Sequence, residues 1–356
     1  MSAYLIRRLI QMVFVLLISS MAIYGLMLAA GGGPFAELRQ AGADKKSSFS
    51  PEQIKRMEKM LGLNLPKHLQ YVAWLSGDDW MGRIDPDYAG TRRGVIRGDW
   101  GQSFKQHRPV LVMIRERLFN TVRLMGASAI LSLMIAIPIG IYSAVKQYSK
   151  LDYAFTFATF FGIAIPGFWF GLMLILLFSN QFQKWGLPYL PGSGTVSARI
   201  RPGSIEAALG ITRGSWGDML THMILPTASL ALRSMAGWTR FVRSSMLEVL
   251  RQDYVRTARA KGLTERVVIA KHALRNALIP LVTIITFEIP ALFGGAILTE
   301  SVFGYPGMGR LYLDALGNAD FPVQQGFLMI SAILVVIATL LSDILYTVVD
   351  PRIRFG

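Results

Sequence analysis

The stretch VRTARAKGLTERVVIAKHALRNALIP, residues 255–280, decides how the rest of the chain is read. It stands between membrane-length apolar runs, yet it carries Arg256, Arg259, Lys261, Arg266, Lys271 and Arg275 against one acid, Glu265. Gly262 suits the left-handed residue that ends a helix. Thr264 suits the N-cap of a second helix, with Glu265 in its first turn, and Asn276 is placed to cap the apolar run beyond. The spelling is helix, tight turn, helix: a basic elbow. The small residues Ala258 and Ala260 leave room for a partner surface to approach. A solvated loop would account for the charges but not for the caps and the small residues.

Outward from the elbow, the chain is apolar in blocks. Of its 356 residues 52% are hydrophobic and only 17% charged, which points to an all-α polytopic membrane protein. A helix needs about 20 apolar residues to cross the hydrocarbon core. Six segments are candidates: Leu9 to Ala30, Leu124 to Val145, a run within Tyr153 to Asn180, a weaker one that is charge-free from Met219 to Leu232 and then interrupted by Arg233, Arg240 and Arg243 before Leu250, Ala277 to Leu298 with Glu288, and Pro322 to Val349 with Asp343. The first is too long for a signal-peptide core and lacks a clear cleavage site, so it reads as a retained span. The implied organisation is an N-terminal span (1–30), an extracytoplasmic cap (31–117), five further spans (118–349, elbow at 251–275) and a short tail (350–356). Within the cap, Ser50 and Pro51 open a candidate helix, KHLQYVAWL reads as another, and Ser76 to Gly101 reads as loop.

Short loops fix the sidedness. Arg7, Arg8, Lys146, Lys150, the nine basic residues from Arg240 to Arg275, Arg352 and Arg354 fall on one face. Only Lys184, Arg199, Arg201, Arg213 and Arg310 fall on the other. The positive-inside bias therefore places both termini and the elbow in the cytoplasm. The same bias explains the net charge of +15 without nucleic acid. With no cysteine, the chain has no disulfide and no thiolate metal site.

No catalytic arrangement stands out. GYPGMGRL, Gly304 to Leu311, approaches a phosphate-binding P-loop, but Arg310 and Leu311 replace its Lys and Ser/Thr, and it follows a span on the external side. His68, His107, His222 and His272 are scattered without metal spacing, so no metal or cofactor is expected. Pro138, Pro166, Pro226, Pro280 and Pro290 punctuate the spans as hinges or as ordinary kinks. Glu288 is an acid within a span, and such acids face partners or a wet cavity. It either lines a translocation path or pairs with Arg233 or Arg240.

The elbow resembles the cytoplasmic signature of permease subunits of ABC importers, with Gly262 on the signature glycine and Arg256-Thr257-Ala258 on its E-A-A triplet. It is closest to the variant of the dipeptide/oligopeptide/nickel branch, which reads similarly from YVRTARAKGL to HALRNALIP. YLIRRL, GDWGQSF, RPVLVMIRERLFNTV, AIPIGIYSAVK, ESVFGYPGMGRLYLDAL and DPRIR agree with that branch along nearly the whole chain. The resemblance implies a type I importer permease fold in a bacterial or archaeal plasma membrane. It implies that Arg256, Thr257, Ala258, Arg259, Ala260, Lys261, Gly262 and Leu263 form the coupling helix docked on an ATPase. It also implies a second homologous permease, two cytoplasmic ABC ATPases that bind ATP and magnesium, and an extracytoplasmic substrate-binding protein. Peptides are the expected cargo; nickel, glutathione-like compounds and oligosaccharides are the alternatives. A secondary transporter would be expected to show inverted repeats and more intramembrane acids, which this chain lacks.

Overall fold

Helices make up nearly all the regular structure in the computed structural model, which describes residues 2–29, 65–81 and 93–349. In chain order these are α1 (Ser2–Ala29), α2 (Lys67–Ser76), α3 (Val110–Val145), α4 (Lys150–Ala164), α5 (Gly167–Leu174), α6 (Trp216–Leu250), α7 (Asp253–Ala260), α8 (Glu265–Val267), α9 (Leu274–Val302), α10 (Met308–Gly317) and α11 (Phe321–Val349). The expected helix after Ser50 lies outside the described residues, whereas KHLQYVAWL forms α2 as its pattern predicts.

Three helical stretches, Ile6–Ala29, Val110–Val145 and Phe321–Leu341, are long and apolar enough to cross a membrane among the described residues. The expected third span is not one straight rod. It breaks between α4 and α5 with a bend of 105°. Pro166 has no N–H to continue the helix, and it forces the residue before it out of the helical region. Ile165 accordingly sits at φ −77°, ψ 129°. Beyond α5 the chain runs through a π-helical stretch, Ile175–Gln181. By contrast, α3 continues through Pro138 and α6 through Pro226, so Pro166 alone of these three interrupts its helix.

The arginines expected to interrupt the fourth span do not end α6. Arg243 makes a bidentate pair with Asp152 in the first turn of α4, both bonds at 3.0 Å. The Arg240 guanidinium lies 4.8 Å from the ring centre of Phe160. Stem and head groups are thus satisfied against a neighbouring helix, and the backbone ladder carries on.

The chain divides into two compact units. In the first, residues 1–118 and 311–336, Ser20 of α1 shares a 2.7 Å hydrogen bond with the Tyr71 hydroxyl, and Tyr24 packs on Tyr71 and Trp74. The Asp320 carboxylate receives the Ser103 hydroxyl and the Phe104 N–H. In the second, residues 119–310 and 337–356, one apolar core joins Ala136 and Ala144 of α3, Trp238, Val242 and Met246 of α6, and Ala277 and Leu281 of α9. A second gathers Leu124, Leu225, Leu230, Ala296, Phe303 and Tyr305. Met134 and Phe157 instead turn their apolar side chains outward, 70% and 73% exposed. In water that would cost free energy; in a lipid solvent it does not.

Candidate functional site

The elbow forms as its residues dictate. α7 ends at Ala260, and Gly262 takes φ +76°. The Gly262 N–H donates to Arg259 O at 2.9 Å and the Leu263 N–H to Ala258 O at 3.4 Å, the pair of bonds that defines a Schellman end. Nothing lies within 4 Å of where a Cβ on Gly262 would stand, so the glycine serves the backbone turn and not a close contact. Thr264 occupies the N-cap of α8 with ψ 144°, but its side chain makes no capping bond. The arm is tied across the turn by another pair. Arg259 donates from Nε to Glu265 at 3.1 Å and from a terminal nitrogen at 2.7 Å. That fork holds the Glu265 carboxyl below its ordinary value and raises the Arg259 guanidinium above its own.

Two expectations change here. Asn276 does not cap a new helix. α8 runs through a π-helical stretch, Val268–Ala273, directly into α9, and the Asn276 amide donates to His272 O and to the Tyr254 hydroxyl. Nor does Ala258 offer itself to a partner. It is 5% exposed and packs with Val255, Val268, Val249 and Leu250, because positions three apart share one face of a helix and that face lies on the end of α6. The small residue permits the elbow to fold onto its own bundle.

What remains outward is Arg256, Thr257, Arg259, Ala260, Lys261, Gly262 and Leu263. Tyr254, Leu263 and Val267 are apolar and 40–43% exposed among these basic groups. The elbow thus presents a cationic surface with apolar points, anchored from behind. Ser245 of α6 donates to the Ala277 carbonyl of α9 at 2.9 Å, so both arms are fixed to one another just above the turn. Glu288 lies within α9, and its side chain lies outside the described residues.

Sequence reading missed the role of Glu300. Its carboxylate is fully buried. It accepts from the Thr121 hydroxyl at 2.5 Å and the Arg310 N–H at 3.1 Å, while Thr121 also receives the Met308 N–H. A Cβ on Gly307 would stand 2.1 Å from that carboxylate. GYPGMGRL is therefore the wrapping of a buried acid and not a phosphate cradle. The acid four residues before the Gly-rich turn was the available signal. One cluster carries a metal-type donor set, Glu206, Asp218 and His222 near the start of α6; it is remote in sequence from the elbow.

Residues 136–355 match the family model described as binding-protein-dependent transport system inner membrane component, and residues 1–125 match its N-terminal companion. The chain is 41% identical over 356 residues, 100% of each sequence, to the oligopeptide transport system permease protein AppB of Bacillus subtilis (strain 168). It is 39% identical over 315 residues, 86% of each, to the dipeptide transport system permease protein DppB of Escherichia coli (strain K12). A solved chain of the MetNI methionine ABC transporter, inward facing, has a TM-score of 0.51 at 18% identity, with 67% of this chain and 97% of that one covered. That likeness concerns the fold alone.

Proposed function

We propose, of a chain that belongs to the family of binding-protein-dependent transport inner-membrane components, that it is the membrane-spanning permease subunit of an ATP-driven peptide importer. Relatives named as oligopeptide and dipeptide permeases align with it over all or most of their length, which supports peptides as cargo. In this reading the chain hydrolyses nothing. ATP and magnesium belong to two cytoplasmic ATPase partners, a second homologous permease completes the path, and an extracytoplasmic binding protein delivers the peptide. Six spans place both termini in the cytoplasm of a cell whose inner membrane holds the complex.

The elbow is the coupling helix in this proposal. The observation that carries it is the division of its residues. Val255, Ala258 and Val268 are buried against α6, while Arg256, Thr257, Arg259, Ala260, Lys261 and Leu263 face outward. A cationic rim around apolar points suits an acidic-edged groove on another subunit, where complementary charge sets the register. Gly262 contributes the turn. Ala260→Glu tests the surface without touching the anchor: it removes no buried contact and puts a like charge against an acidic groove. The reconstituted complex should assemble in the membrane and lose most of its substrate-stimulated ATP hydrolysis. Full coupling in that variant would reject the docking surface. Ala258→Glu is a poorer probe, because it buries a charge in the elbow's own core.

A further inference from the structure

Glu206, Asp218 and His222 come together where the segment between α5 and α6 meets the first turn of α6. Each offers a ligand atom within 4.8 Å of the others, and the three are 1%, 0% and 4% exposed. Two carboxylates in such a place need compensation, since a buried charge is tolerated only when paired, hydrogen-bonded or bound to a metal. Among the described residues no lysine or arginine pairs with either acid; the ion-pair contact of Asp218 is to His222, and Glu206 has a hydrogen bond from Thr221 alone.

Glu206 receives fewer hydrogen donors than Asp218. The single hydroxyl proton of Thr221 faces both Glu206 Oε1, at 2.9 Å, and the Asp218 carbonyl, at 2.8 Å. His222 Nδ1 lies 2.8 Å from the same carbonyl and 3.2 Å from Asp218 Oδ1. A carbonyl oxygen can only accept, so the bond at Nδ1 is one the imidazole donates. A histidine whose far N–H is held by a carbonyl or carboxylate is the usual arrangement of a metal ligand. Asp218 is fixed from the other side by the Ser197 N–H, at 3.0 and 3.1 Å, and the Gly214 N–H, at 2.7 Å.

We infer that Glu206, Asp218 and His222 form a binding site for a divalent transition-metal ion of the zinc type. The ion places positive charge beside two buried carboxylates that no lysine or arginine reaches among the described residues. One imidazole with two carboxylates suits zinc better than the all-oxygen shells of magnesium or calcium. An ion about 2.1 Å from each ligand spans about 4.2 Å at most, so the three groups need only close in slightly. Its role is structural. The segment from Trp185 to Ser215 contains only one turn of helix, Ile205–Ala208, and the ion staples it to α6 at the end remote from the elbow.

The experiment uses the purified permease complex from cells grown with zinc. Elemental analysis after dialysis should find about one zinc per chain of this type. A strong zinc chelator should lower the melting temperature by about 5 °C, the scale expected when a tight ligand is removed, and added zinc should restore it. Glu206→Gln keeps the volume and removes the charge; it should lose both the zinc and the chelator response. No zinc in the wild-type complex, with melting indifferent to chelator and metal, overturns the site. Zinc retained in full by Glu206→Gln overturns it as well, since the ion then sits elsewhere. If that variant fails to assemble, X-ray absorption of the wild-type zinc decides: imidazole with oxygen neighbours supports the site, and a shell without imidazole overturns it.

Discussion

Gly262 and Gly307 are both conspicuous glycines, yet they answer to different constraints. At Gly262 the space for a Cβ is empty and only φ +76° excludes other residues. A non-glycine residue there costs roughly 1–2 kcal/mol, less for Asn and more for a β-branched side chain. The melting temperature of the complex and its coupled ATPase rate should therefore fall in the order Gly, Asn, Ala, Val at this position. Equal tolerance of Asn and Val would contradict the assignment. Gly307 faces the opposite constraint: the Glu300 carboxylate fills the place of its Cβ, so even alanine must displace a buried charge. The first constraint is legible in sequence, since a glycine between two helical patterns announces a left-handed turn. The second is harder to read: Glu300 stands close by in sequence, but only the folded turn brings its carboxylate back onto Gly307.

The tie between α4 and α6 shows how helices with awkward residues hold together. Asp152 is 3% exposed and Arg243 30% at the side chain, and the Tyr148 N–H also reaches the carboxylate at 3.0 Å. Asp152→Ala leaves a largely covered guanidinium without its partner and should destabilise the complex by about 3 kcal/mol. Asp152→Leu combined with Arg243→Met should be clearly less damaging than Asp152→Ala alone. Thermal unfolding in detergent reads both, and a double variant no better than the single one would refute the pairing. Helix existence was legible from apolar runs and caps; α2 and α11 follow their patterns closely, whereas α3 begins at Val110, well before the Leu124 expected for that span. Three features were not legible. Pro138 and Pro226 stay inside continuous helices while Pro166 marks a 105° bend, and the residue type alone does not distinguish them. The π-helical stretches contain ordinary helix formers. The inward turn of Ala258 is decided by Val268 and Leu250, which sequence spacing alone does not place opposite it.

At the scale of the whole chain, the absence of cysteine makes sidedness directly measurable. Ala198→Cys and Thr264→Cys are both exposed positions. The first should react with an impermeant maleimide in intact cells and the second only after permeabilisation; the reverse pattern would reject cytoplasmic placement of the elbow. Charge asymmetry between short loops is what predicts this placement. The Glu206–Asp218–His222 cluster was not legible, because Glu206 lies twelve residues before Asp218 and only the folded segment joins them. One further consequence follows from the unbroken run of helix from Glu265 through Val302. At about 1.5 Å per residue it is a rod roughly 57 Å long, with the elbow turn at one tip and the buried Glu300 at the other. Where such a helix stays straight through Pro280 and Pro290, a push at one end is passed to the other. Pivoting by about 10° around its midpoint carries each tip some 5 Å, in opposite directions. In the proposed coupling role, a nudge of a few ångströms at Leu263 would return as an equal and contrary sweep beneath the Phe303–Gly307 turn, by leverage.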